Sequence, residues 1–80
     1  MDNLSKLKDI LANVLKIDSN KISDKSSPDN IPSWDSFNGL ILVTELEKGF
    51  DVKFTIDEII AVKSFGDIRE ALKNKGIEGV

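Results

Sequence analysis

Behind Asp35 the residues Leu40, Val43, Leu46, Glu47 and Phe50 recur at helical spacing, and no other stretch of the chain limits its fold so tightly. Asp35 stands where a side-chain oxygen accepts from the first free amides of a helix, so the spacing predicts a helix that opens at Ser36 and closes at Gly49-Phe50-Asp51. Glycine near that end suits a left-handed turn. Ser36 falls in the first turn. Its hydroxyl is expected to be exposed, and an anion attached to it would meet unpaired backbone amides and the positive end of the helix dipole. A phosphodiester suits such a place.

The rest of the chain reads as helices of the same kind. Asp2 or Asn3 caps a first helix to about Lys16, with Leu4, Leu7, Ile10, Leu11, Val14 and Leu15 on its core side. Between Ile17 and Asp35 the periodicity vanishes into serines, asparagines, aspartates and two prolines, a long connector with Ile17, Ile22, Ile31 and Trp34 as its anchors. Thr55-Ile56-Asp57-Glu58 is a capping box opening a short third helix that ends near Val62. Its Ile56, Ile59 and Ile60, with Val62, are placed to close one side of a cleft against the central helix. Ser64 to Asp67 starts a fourth helix with Phe65, Ile68, Ala71 and Leu72 inward, stopped by Gly76, and Ile77 to Val80 is expected to fray. These readings predict an all-α fold, a small four-helix bundle with a long loop between helices 1 and 2 and a short third helix, in one domain spanning 1–80.

Composition narrows the function. Cysteine and histidine are both absent from the 80 residues, which removes disulfides, thiolate or imidazole metal sites and the commonest nucleophile and base. An autonomous enzyme is not expected, nor is a metal; Asp29 to Asp35 fails the spacing of a calcium loop. The net charge is −3, and the stretch from Asp35 to Ile60 holds six acids against two bases. Nucleic acid binding needs the opposite sign, so basic protein partners fit better. No segment approaches the length of a membrane span and the start lacks a secretory pattern, so a cytoplasmic monomer is expected.

The residues Asp35-Ser36-Phe37, continued through Leu40-Ile41-Leu42-Val43-Thr44-Glu45-Leu46-Glu47-Lys48-Gly49-Phe50, resemble the head and body of the second helix of acyl carrier proteins and their peptidyl and aminoacyl relatives. The resemblance extends over nearly the whole chain, with Phe37 where the family usually has leucine and Ile41 where many fatty-acid carriers have an acid. It implies that Ser36 takes a 4′-phosphopantetheine arm from coenzyme A through a phosphopantetheinyl transferase, and that the arm presents a thioester to acyl-loading and acyl-processing enzymes. The pathway could lie in fatty acid biosynthesis or other lipid metabolism, in polyketide or peptide assembly, or at a cell-surface polymer.

On that reading Asp35 both caps the helix and touches the transferase's metal, and Phe37 and Leu40 steady the base of the arm; Gly39, at a cost of about 1 kcal/mol to the helix, invites either close backbone packing or access for the arm. Leu40, Ile41, Glu45, Glu47 and Ile59 are the expected partner contacts, with charge reversal at Glu47 weakening docking while the fold stays intact. The alternative is a helical interaction or regulatory domain that never receives the arm, in which Ser36 is a second capping hydroxyl. Phe37, Asn38 and Ile41 are the departures that keep it open.

Overall fold

The computed structural model describes residues 2–80. Helices run over Asn3–Leu15 (α1), Ser36–Phe50 (α2), Ile56–Ala61 (α3) and Phe65–Asn74 (α4), with one 3-10 turn at Ser19–Lys21 and no strand among the described residues. Each helix begins where a side chain can take the first orphan amides. Asp2 Oδ1 accepts from Ser5 N at 2.7 Å and Asp35 Oδ1 from Asn38 N at 2.8 Å. Thr55 and Glu58 exchange bonds in a complete capping box. Ser64 Oγ accepts from Asp67 N at 3.2 Å, while Asp67 Oδ2 reaches back to Lys63 N at 2.9 Å.

The core forms where one stripe of each long helix meets the others. Leu7, Leu11 and Leu15 of α1, Leu42, Leu46 and Phe50 of α2, and Phe65, Ile68 and Leu72 of α4 are buried. In α2 the buried line therefore runs at i, i+4 and i+8 from Leu42, and Leu40 falls outside it, contrary to the stripe expected from the sequence. Four helical residues in succession, Leu40 to Val43, are apolar there, and the pairing with α1 decides which turns inward. Gly49 permits a close approach of α2 to α1, since a Cβ on it would lie 2.8 Å from Ile10 Cδ1. It lies inside the helix. The left-handed residue that ends α2 is Asp51, at φ 54°, so the turn expected of Gly49 falls two residues later.

The connector between α1 and α2 is ordered by its own polar atoms. Ser23 N donates to Ser26 Oγ and Ser27 N to Asn30 Oδ1, at 2.9 and 3.0 Å. Ile22, Ile31 and Trp34 are buried anchors, as the sequence suggested, and Ile17 packs partly against them. The same connector finishes α4. Phe65 N donates to Ser26 O at 2.8 Å and Gly66 N to Asp24 O at 3.1 Å, so two amides at the head of α4 are satisfied by loop carbonyls. A Cβ at Gly66 would stand 3.2 Å from Asp24 O, and the missing side chain permits that approach.

The expected fraying of Ile77 to Val80 is overturned. Gly76 reverses the chain at φ 89°, Ile77 packs on the core and Val80 is buried. Arg69 Nε donates to Val80 O at 2.6 Å while its Nη1 pairs with Asp24 at 2.6 Å, and Asn3 Nδ2 donates to Glu78 O at 2.7 Å. Ile77 and Val80 lie three apart with only Glu78 and Gly79 between, too short a stretch to show periodicity. What holds them is contact with α1 and α4.

Candidate functional site

The connector's last residues set the entry to α2. Trp34 is buried, its backbone N–H donates to Ile31 O at 3.0 Å, and Asn38 Nδ2 ties the helix's first turn to Ser33 O at 2.8 Å. Asp35 then serves α2 twice, its carboxylate accepting from Asn38 N and its carbonyl from Gly39 N at 2.8 Å. Between these anchored positions Ser36 is exposed. The amides of Ser36 and Phe37 make none of the hydrogen bonds among the described residues. An exposed hydroxyl thus stands beside two free N–H donors at the positive end of a 15-residue helix.

From Ser36 a cavity of about 590 Å³ runs inward between α2, α3 and α4. Its wall is Trp34, Gly39, Leu42, Val43 and Leu46 on the α2 side, Phe54, Ile59 and Val62 from the α3 region, and Ile68 from α4, with Asp35, Ser36, Leu40 and Pro28 also lining it. The volume is within the span of about 300–1,000 Å³ typical of small-molecule sites. Beyond Asp35 and Ser36 the wall holds no charged or hydroxyl side chain. Such a space accepts hydrocarbon and rejects an unpaired charge.

The third helix covers this cavity without a buried side chain of its own. Polar contacts hold it instead. Glu47 Oε2 accepts from Phe54 N at 2.8 Å, and Lys75 Nζ reaches both Glu58 oxygens at 2.8 Å while lying 5.1 Å from the centre of the Phe54 ring. The hydrogen bond from Lys75 and then the Thr55 amide hold the Glu58 carboxyl below its ordinary 4.5. Of the four residues expected to wall the cleft, Ile59 and Val62 do so. Ile56 and Ile60 face solvent, 74% and 69% exposed, because a two-turn helix can lay only one side against the bundle.

The structure separates the other expected site residues. Phe37 and Leu40 stand outward, 71% and 62% exposed, and Ile41 is 38% exposed, so an apolar rim flanks Ser36. Glu45 lies elsewhere, in a groove shared with Lys6 and Lys48 along α1. Glu47 is half-buried with its carboxylate spent on the Phe54 amide, so charge reversal there would remove an internal bond as well as a surface charge. Pro28, Phe54 and Ile68 were not expected in the wall. Phe54 gave a faint signal as an apolar residue just ahead of the Thr55 box, whereas nothing local foretold Pro28. No cluster of three metal-ligating side chains and no helix long and apolar enough to cross a membrane occurs among the described residues.

Four helices, a long ordered loop after the first, a short third helix over a cavity and an exposed serine at the head of the second together make an acyl-carrier-type fold. Among solved structures the fold is similar to one described as "a putative acyl carrier protein" from Mycobacterium tuberculosis, with a TM-score of 0.81 and 21% sequence identity over 90% of this chain and 96% of that one. No protein-family model matches the sequence, and no curated protein matches it.

Proposed function

We propose that this chain is a carrier protein whose Ser36 bears a 4′-phosphopantetheine arm and which presents an acyl group to partner enzymes. The observation that carries the reading is the conjunction of an exposed Ser36 hydroxyl, free amides beside it and an apolar cavity that begins at the same residue. The donor set fits the arm's phosphodiester, and the acyl-carrier-type fold supports the same assignment. When bound, the arm supplies a thiol that holds the cargo as a thioester.

The chain's own residues do the rest. Asp35 fixes the first turn of α2 so that Ser36 Oγ stays outward for a phosphopantetheinyl transferase, and the amides of Ser36 and Phe37 offset the phosphodiester charge. Gly39 and Leu40 border the way in, and Leu42, Val43, Leu46, Ile59 and Ile68 exclude water from the interior. Phe37, Leu40 and Ile41 offer acyl-loading and acyl-processing enzymes an apolar contact, and Ile59 lines the cavity that Leu40 borders. Bond making and breaking on the cargo belongs to those partners. The protein acts as a soluble cytoplasmic monomer in a pathway of lipid or related acyl transfer.

The test is intact-mass spectrometry after incubation with coenzyme A and a promiscuous phosphopantetheinyl transferase. A mass gain of one arm is expected, absent in Ser36→Ala. No gain with several transferases would refute the carrier reading in favour of a helical interaction domain.

A further inference from the structure

The cavity wall contains one polar donor that the fold does not use. Trp34 is 6% exposed, yet its indole nitrogen takes part in none of the hydrogen bonds among the described residues. A buried tryptophan N–H ordinarily finds an acceptor. Nor is this nitrogen sealed off, because the fully enclosed side-chain polar atom without a partner is Ser33 Oγ alone. Trp34 and Gly39 both line the cavity, and Nε1 is 3.9 Å from where a Cβ on Gly39 would stand, within one turn of Ser36.

We propose that Trp34 Nε1–H donates a hydrogen bond to a carbonyl oxygen of what Ser36 carries, which makes Trp34 the positioning residue for an aliphatic acyl cargo. The inference rests on the carrier reading of Ser36. The chemistry of the wall selects the cargo: leucines, valines and isoleucines take up an alkyl chain, and one donor near the mouth takes up one acceptor. An aminoacyl group would bring an ammonium whose only counter-charge along this wall is Asp35, at the rim and already engaged with Asn38 N. The accepting carbonyl is that of the thioester or an amide carbonyl of the arm, and these are separable.

Trp34 is the single tryptophan of the chain, so a nitrogen-15 spectrum of the full-length protein shows one indole N–H resonance. Three forms of Ser36 are compared after intact mass confirms each load: the bare arm, the octanoyl thioester, and the S-octyl thioether, which keeps the chain but lacks the thioester carbonyl. A downfield shift of the indole proton in the octanoyl form alone assigns the thioester carbonyl. The same shift in all three assigns an arm amide, and either result upholds the donor role. A chain of hydrocarbon without the shift in any form overturns it. Failure to load refutes the carrier reading separately, and octanoyl N-acetylcysteamine added to unmodified protein then decides on Trp34: a saturable downfield shift upholds the donor, and an unmoved resonance overturns it.

Discussion

Replacing Asp35 by alanine and by asparagine separates what that residue does for α2 from what it does for Ser36. Its carboxylate accepts from Asn38 N at 2.8 Å and lies at the positive end of the helix. Loss of a capping oxygen costs about 1 kcal/mol, and loss of a negative charge at a helix start costs about 0.5 kcal/mol at low salt. Asp35→Ala loses both contributions, about 1.5 kcal/mol, whereas Asp35→Asn keeps an acceptor and loses only the charge. In a domain of this size each kcal/mol moves the melting temperature by about 4–8 °C. Thermal unfolding followed by circular dichroism should therefore show a fall of about 6–12 °C for alanine and about 2–4 °C for asparagine. Added salt should close most of the asparagine gap and little of the alanine gap, since only the charge term is screened. Arm transfer to Ser36 should fall further in Asp35→Asn than its small loss of stability explains, as expected if the carboxylate meets the transferase's metal. Equal destabilisation by the two variants, or none by either, would refute the account of how α2 begins.

Three further outcomes follow from the same geometry. Lys16 ends α1 at φ 57° without glycine's freedom, so Lys16→Gly should raise stability by up to about 1 kcal/mol, less the unfolded-state entropy of glycine, measured by urea titration. Leu11 is fully buried between helices, so Leu11→Ala should cost about 2–5 kcal/mol, a large share of the total for a small domain, read from the same titration. Because Glu58's folded pKa is depressed, its pairing with Lys75 and Thr55 stabilises fully above 4.5 and is lost as pH falls through the lower folded value. Protection of the α3 amides, taken as exchange relative to the intrinsic rate at each pH, should therefore fall below that pH, and Glu58→Gln should show the lower protection already at neutral pH.

Helix existence was legible in this sequence because caps and apolar spacing agreed with each other at every start. Asp2, Asp35, Thr55 and Ser64 each hold the bond that their position implied, so the four helices begin where the residues say they should. Which apolar residues turn inward was less legible wherever a helix carried more of them than one face can bury. Leu40, Ile41, Leu42 and Val43 form such a run, and packing against α1, with Gly49 lying close against Ile10, goes with a rotation that buries Leu42 and leaves Leu40 outside. The same ambiguity put Ile56 and Ile60 in the expected cleft and then on the surface.

The site divides along the same line between what is local and what is not. Ser36 could be found because the bonds that hold its turn lie close by in the chain, from Ser33 to Gly39. The cavity could not, because Pro28, Phe54 and Ile68 reach it from three separate parts of the chain. Glu47 shows the cost of reading charge without geometry. On a sequence it is an acid expected to meet a partner, yet its carboxylate holds the Phe54 amide that leads into α3. Trp34 is the converse case, an anchor by composition whose backbone is tied to Ile31 and whose indole donor is left without a protein acceptor beside the serine. The indole nitrogen still reaches solvent, so under the proposal a carbonyl on the load takes the place of a water, and an alkyl chain adds apolar contact along the wall. Loading Ser36 should then do more than add a tether. It should raise the stability of the helices that meet at the cavity.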